Sequence, residues 1–278
     1  MIGVERNKIL ILDGNQRSAL AATRALGKKG LCVVVADDMA RTLAGSSGYC
    51  SERLVYPSPY VNPRGFIDSV KEEVVRRGIG VIFPMTDVTT QLLTQRREEF
   101  AGISIPCATR EAFEAVTDKW ALMELAKQLG VPAPVTRLVR SREDMRDAAR
   151  QIGFPLVMKT CRSKIQSHDR WVATSVEYAC SMQDLERMAT SNETFQNYSF
   201  LLQERIEGQG QGIFALYDHG NPVAFFAHRR LREKPPSGGV SVLSESVEVD
   251  PQLREMSRRI LDHVGWHGVA MVEFKVSR

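Results

Sequence analysis

The sequence contains no long apolar run. Its longest unbroken one is the six residues Leu31–Ala36, far short of the ~20 that a membrane-crossing helix needs. Nor does an apolar core follow the amino terminus, where Glu5, Arg6, Asn7 and Lys8 intervene, so no secretory signal pattern is present. Cysteine is sparse: Cys32, Cys50, Cys107, Cys161 and Cys180 are odd in number and never spaced as CxxC, which speaks against a disulfide framework or a zinc ribbon and for free thiols. Charge of one sign is lacking too. The 37 basic and 33 acidic residues leave +4, and the Arg pairs 76–77, 96–97, 229–230 and 258–259 are separated by acids, as on solvated helix faces. The expectation is a cytoplasmic protein with no membrane or nucleic-acid partner. With only 20 Gly and 12 Pro among 278 residues, collagen-like and low-complexity readings fail. No HExxH or GxSxG motif occurs. His263 and His267 are four apart, but Gly265 lies between them, so they read as helix-end histidines.

What is present is ordinary globular material, 43% hydrophobic and 25% charged, long enough for about two domains. Lys8–Leu12 and Leu31–Ala36 read as buried strands flanking a helix over 16–29 that ends at Gly30. Arg53–Tyr56 reads as a short strand, 64–77 as a helix, Ile79–Pro84 as a strand, 86–99 as a helix and Ile103–Ile105 as a strand. This βαβ rhythm predicts a parallel sheet covered on both faces. One helix is expected over Thr109–Leu129, and a capping-box start at Ser141 opens another that stops near Gly153. Beyond Pro155 the pattern predicts strands at 155–160, 170–176, 199–206, 211–218, 222–232 and 240–249. A helix capped by Asp250-Pro251 and a final strand over Val269–Val276 follow.

Several residues sit where their chemistry needs an explanation. The first loop, Asp13-Gly14-Asn15-Gln16, follows a strand and opens a helix, as a dinucleotide site would, but the GxGxxG glycines are absent. Asp37-Asp38 is therefore weak as a ribose pair, and a Rossmann-like domain without a cofactor is the better reading. Trp171 and Trp266 read as core residues. Lys119 opens a helical segment, and Lys159 ends the apolar strand Pro155-Leu156-Val157-Met158, where a charge is costly unless it meets an anion or a cleft. Snorkelling to solvent is the plain alternative for either lysine. Gln203-Glu204-Arg205-Ile206-Glu207-Gly208 closes another apolar strand, and Glu273 interrupts Val269-Ala270-Met271-Val272. A carboxylate there pairs with Lys275 or an arginine, or binds a metal.

In order and spacing, Lys119, Lys159, the hinge at 203–208 and Glu273 resemble the ATP-grasp superfamily across nearly the whole chain. Phe226-Ala227-His228-Arg229-Arg230-Leu231-Arg232-Glu233-Lys234-Pro235 with Gly238-Gly239 is similar to carbamoyl-phosphate-synthase-like carboxylate–amine ligases. The resemblance implies α/β plus α+β architecture. A Rossmann-like pre-ATP-grasp domain (1–108) would precede an ATP-grasp domain (109–278) of two α+β lobes, the smaller near 134–202. It implies that Lys119 and Lys159 hold ATP phosphates, that Gln203, the Glu204 carbonyl and the Ile206 N–H meet adenine, and that Glu207 lies near the ribose. Arg230 or Arg232 would meet the γ-phosphate or the substrate carboxylate, and Glu273 would be a Mg²⁺ ligand. The implied reaction joins a small-molecule carboxylate to an amine through an acyl phosphate. Two departures stand out. The stretch Thr160–Asp169 lacks the glycines of a phosphate loop, and Arg278 follows Glu273 by five residues, before the strand that would bring a second Glu and an Asn. The expectation is an ATP-grasp domain lacking its final strands and with little turnover. The alternative is a nucleotide-binding or regulatory module without catalysis; a nicotinamide-dependent oxidoreductase is disfavoured by the missing glycines.

Overall fold

The computed structural model describes residues 7–167, 170–235 and 239–277. They form two compact units, one reaching Arg110 and including 166–172, the other made of 111–165 and the residues from Ala173 onward.

The first unit contains β1 (Lys8–Ile11), α1 (Arg17–Lys28), β2 (Cys32–Asp37), β3 (Glu52–Val55), α2 (Pro63–Arg77), β4 (Ile79–Phe83) and α3 (Asp87–Gln95). Its sheet runs β3-β2-β1-β4, and every neighbouring pair is parallel. Alternation along β1 and β2 sends Ile9, Ile11, Val33 and Val35 to one face, beside Ala19 of α1. Leu10, Val34 and Ala36 go to the other, against Phe66, Ile67 and Leu92 of α2 and α3. Both faces are covered, which is why these strands read as continuous apolar runs. The expected helix over 86–99 is shorter: α3 stops at Gln95 and a 3₁₀ turn spans Arg97–Phe100.

The acids Asp13, in the first loop, and Asp37, at the end of β2, serve the fold. Asp13 is buried in a left-handed conformation (φ 55); its Oδ2 accepts the Met85 N–H at 2.9 Å and the Thr89 hydroxyl at 2.6 Å. Asp37 accepts the Met39 and Asn15 N–H groups, one on each oxygen. A Cβ on Gly14 would stand 2.8 Å from Val35 Cγ1, so this glycine permits close packing on β2.

The second unit opens with α4 (Arg110–Thr117) and α5 (Lys119–Gln128), where the sequence predicted one helix. The break has a chemical cause: Asp118 is extended, and its Oδ1 accepts the Trp120 and Ala121 N–H groups at 3.0 and 3.1 Å. That is the N-cap role short acidic side chains prefer to a helix interior. Next in the chain come β5 (Thr136–Val139), α6 (Arg142–Ile152), β6 (Leu156–Thr160), β7 (Lys164–Ser167) and β8 (Arg170–Ala173), of which 166–172 group with the first unit. Then follow β9 (Val176–Ala179), α7 (Met182–Ser191), α8 (Glu193–Asn197) and β10 (Phe200–Glu204). The sheet β5-β10-β6-β9 is antiparallel, with Met145, Ala149, Leu185 and Phe195 packed on one face. The expected strand over 170–176 is thus two strands, β8 and β9. β5, β7, α7 and α8 were absent from the sequence reading, although Ser181, whose hydroxyl accepts the Asp184 N–H, repeats the signal recognised at Ser141.

The remainder is β11 (Gln209–Asp218), β12 (Asn221–Lys234), β13 (Val240–Val247), α9 (Pro251–His263) and β14 (Gly268–Val276), with sheet order β13-β12-β11-β14, antiparallel throughout. α9 is capped by Asp250, as expected, and docks through Ile260 on Ala126 and Val131. The architecture is the predicted one, a parallel α/β unit followed by α+β structure. Because Phe66 is fully buried and meets Tyr56 edge-on at 4.9 Å between ring centroids, Phe66→Ala is expected to cost the first unit about 3–5 kcal/mol, read as a lower denaturant midpoint.

Candidate functional site

A cleft of about 850 Å³ lies within the second unit. One wall comes from α5, β6 and β9, the back from the segment 203–208, and the other wall from β11, β12 and β14. Lys119, Lys159, Gln203, Glu204, Ile206, Glu207, Arg230 and Glu273 all line it. Arg232 is exposed and is not among the lining residues.

The two lysines converge through backbone geometry. The Asp118 cap makes Lys119 the first residue of α5, and the Lys119 N–H donates to the Cys161 carbonyl at 2.8 Å. This ties the helix start to the chain two residues past Lys159. Lys119 Nζ donates to Ser163 Oγ at 3.0 Å. Lys159 Nζ donates to Gln203 Oε1 at 2.7 Å, and the Gln203 amide nitrogen donates to Thr136 Oγ1 at 2.7 Å. Gln203 is therefore buried and engaged as an arm that aims Lys159. Burial first, and the neighbouring Lys119 second, push the Lys159 ammonium down to about 8. Two cations are thus held close, one bonded to a neutral amide and the other to a hydroxyl, an arrangement chemically suited to an anion. The glycine-free segment after Lys159 turns at 161–163, where the Thr160 and Thr174 hydroxyls donate to the Arg162 carbonyl. It continues as the β7–β8 ribbon; His168 and Asp169 lie outside the described residues.

At the hinge, the Glu204 N–H donates to the Val135 carbonyl at 2.8 Å, and Glu204 Oε2 accepts the Val135 N–H at 3.2 Å. The Arg205 guanidinium stands over the Tyr178 ring, 5.7 Å from its centroid, a cation–π contact on the cleft wall. A Cβ on Gly208 would come 2.6 Å from the Val276 carbonyl oxygen, so the hinge needs glycine where it passes β14.

On the opposite wall Arg230 is the organising charge. It pairs with Glu273, with Glu233 at 3.3 Å, and donates to the Gly239 carbonyl at 3.2 Å. Lys275 adds a second cation to Glu233 at 3.4 Å. Glu273 is not the buried carboxylate its apolar neighbours suggest: its side chain is 51% exposed and paired with an arginine, because β14 is buried on only one face. The more shielded acid is Glu233, its side chain 11% exposed. Burial works to raise its carboxyl, but Arg230 and Lys275 outweigh it and hold it below the usual carboxylate range. Sequence reasoning missed Glu233. In a regular strand, residues three apart face opposite ways, and only the register shifts of β12 between Arg230 and Glu233 bring the pair together. Gly210 leaves them room: a Cβ there would lie 2.8 Å from Arg230 Cδ and 2.9 Å from Glu233 Oε1.

A protonated Lys159 favours anions. Inorganic triphosphate is therefore expected to bind more weakly as the pH rises through about 8, a step calorimetry should lose in Lys159→Met. Gly210→Ala is expected to splay the Arg230–Glu233 pair and weaken the same anion without removing a charge, as the same titration reads.

No known protein-family model matches the chain. Solved structures do. N5-carboxyaminoimidazole ribonucleotide synthetase from Thermotoga maritima superposes at TM-score 0.68 and 20% identity, over 98% of this chain and 65% of that one. L-amino acid ligase from Bacillus licheniformis does so at 0.70 and 14%, over 99% and 64%. The biotin carboxylase domain of Hydrogenobacter thermophilus 2-oxoglutarate carboxylase, in complex with MgADP, ADP and bicarbonate, does so at 0.70 and 17%, over 96% and 60%. The chain thus spans 60–65% of the length of these three structures. What the chain shares with them at these identities is the fold alone, a parallel α/β unit followed in sequence by α+β structure.

Proposed function

We propose that the cleft binds ATP with Mg²⁺ and serves an ATP-dependent ligase that joins a small-molecule carboxylate to an amine. The observation that carries this reading is the Lys119–Lys159 pair facing a cleft whose opposite wall holds Arg230, Glu233 and Glu273. The fold shared with ligases, one of them complexed with MgADP, supports it.

In this reading the lysines hold the phosphates as point charges, and the hinge from Gln203 to Glu207 borders the nucleoside. Glu204, Ile206 and Glu207 would meet base and ribose through backbone and carboxylate groups, while the Gln203 side chain keeps Lys159 in position. Arg230 would leave Glu273 to meet the transferring phosphoryl group or the substrate carboxylate; Arg232, exposed, would serve only through a rearrangement of β12. A carboxylate oxygen attacks the γ-phosphorus and ADP departs; the amine nitrogen then attacks the acyl carbon and phosphate departs. Carboxylate oxygens suit a hard cation, so Glu273, with Glu233 beside it, would hold Mg²⁺, which when bound neutralises phosphate charge. The chain's own contribution is orientation and fixed positive charge.

A second reading, a nucleotide-binding module without turnover, is favoured by one feature: the carboxylate expected to hold the metal is closed by Arg230. Calorimetry and ADP release together separate the two. ATP·Mg²⁺ is expected to bind and NADPH not to, with Lys119→Met and Lys159→Met each weakening ATP by about 1.5–3 kcal/mol. Amine-dependent ADP release with a panel of amino acids supports the ligase, binding without release supports the module, and NADPH binding without ATP binding overturns both.

A further inference from the structure

Away from the cleft, the β11–β12 hairpin brings together three side chains that the ligase reading leaves unused. Asp218, His219 and His267 offer ligand atoms that all lie within 4.8 Å of one another. His219 Nδ1 is 2.7 Å from Asp218 Oδ1, and His267 Nδ1 is 3.7 Å from the same oxygen. The two imidazole rings stack with centroids 4.1 Å apart and planes 26° from parallel. His263 ends α9 as expected, whereas His267 lies beyond Gly265 and belongs to this cluster.

We propose that Asp218, His219 and His267 form a binding site for a divalent transition ion of zinc's class. Two imidazole nitrogens and one carboxylate oxygen are the donor set that Zn²⁺ accepts when water fills the fourth position. Bonds of about 2.0–2.1 Å at tetrahedral angles separate ligand atoms by roughly 3.3 Å. The observed 2.7 and 3.7 Å straddle that value, and binding would also turn the stacked rings apart so that both lone pairs meet one ion. The Nδ1 of His267 carries its lone pair, which accepts the His219 backbone N–H at 3.2 Å, a long bond that an ion would replace.

The scaffold is built before any ion arrives. His219 holds φ 46, a left-handed conformation uncommon outside glycine. The turn is anchored by the Gly220 N–H donating to the Trp266 carbonyl at 2.7 Å and by the Asn221 side-chain amide donating to the Asp218 and His219 carbonyls. An ion here would clip the β11–β12 turn to the segment entering β14, the strand that carries Glu273 to the cleft. The donor set is one hard oxygen and two nitrogens, so Mg²⁺ is rejected in favour of Zn²⁺.

The test uses the full chain without nucleotide, which separates it from the ligase reading. Zn²⁺ is titrated by calorimetry and thermal melting, and Co²⁺ by visible absorption. One Zn²⁺ per chain with a raised Tm, no response to Mg²⁺, and a Co²⁺ spectrum lacking thiolate charge-transfer bands are expected. His267→Gln, and His219→Asn, which tolerates the left-handed turn, should each weaken Zn²⁺ by roughly 10–100-fold or more while leaving the metal-free Tm near wild type. Zn²⁺ binding unchanged in both variants, a thiolate spectrum pointing to the cysteines, or no stoichiometric binding by the wild-type chain would overturn the proposal.

Discussion

Two lysine ammonium groups are held near one another in a half-enclosed cleft, and much of the second unit is arranged to bear that cost. Like charges repel, and burial makes each charge more expensive. The chain holds them there with one backbone hydrogen bond, Lys119 N–H to the Cys161 carbonyl, and one amide, Gln203, itself anchored on Thr136. The depressed Lys159 ammonium is the electrostatic consequence. An anion arriving between them removes the repulsion, so free energy stored in the empty cleft is returned on binding. A fold that needed only stability would have put a carboxylate there.

The opposite wall has the reverse arrangement. Arg230 lies between two carboxylates, Glu233 and Glu273, and Lys275 balances the inner one. A pair of lysines on one wall thus stands across the cleft from a wall of paired charges. A ligand with a polyanionic end and a counter-cation would find partners on both walls, exchanging internal ion pairs for its own. The two sheets are also built differently. β6 and β10 are interior strands of theirs, which is why Lys159 and Gln203 are shielded. β14 is an edge strand with one open face, which is why Glu273 remains half exposed.

How much of this was legible follows from the range of the interactions. The parallel unit was readable because both faces of its strands are buried, so Lys8–Leu12 and Leu31–Ala36 announce themselves as apolar runs. The helix break at Asp118 was not read, although the residue that causes it was in view, because apolar spacing continues through it and only the cap's hydrogen bonds interrupt it. β5 is a four-residue strand, Thr-Arg-Leu-Val, with no apolar run to announce it, and it pairs with β10. Among the site residues, Lys159, the hinge and Glu273 stood out as charges or polar groups set in apolar strands, and Lys119 as the opening residue of a helical segment. Glu233 did not, since Arg229, Arg230, Arg232 and Lys234 surround it in the sequence and hide one acid among cations.

The sequence by itself determined the class of fold, most elements of the parallel unit, and the kinds of charge available, because these depend on local periodicity, capping chemistry and composition. Only the tertiary structure decided which charges meet. The pairing of β6 with β10 turned Gln203 toward Lys159, the shifted register of β12 set Glu233 beside Arg230, and a left-handed turn laid His219 on His267. Each is a contact between residues distant in sequence or out of regular strand phase, and its geometry arises from packing that no short window of residues contains.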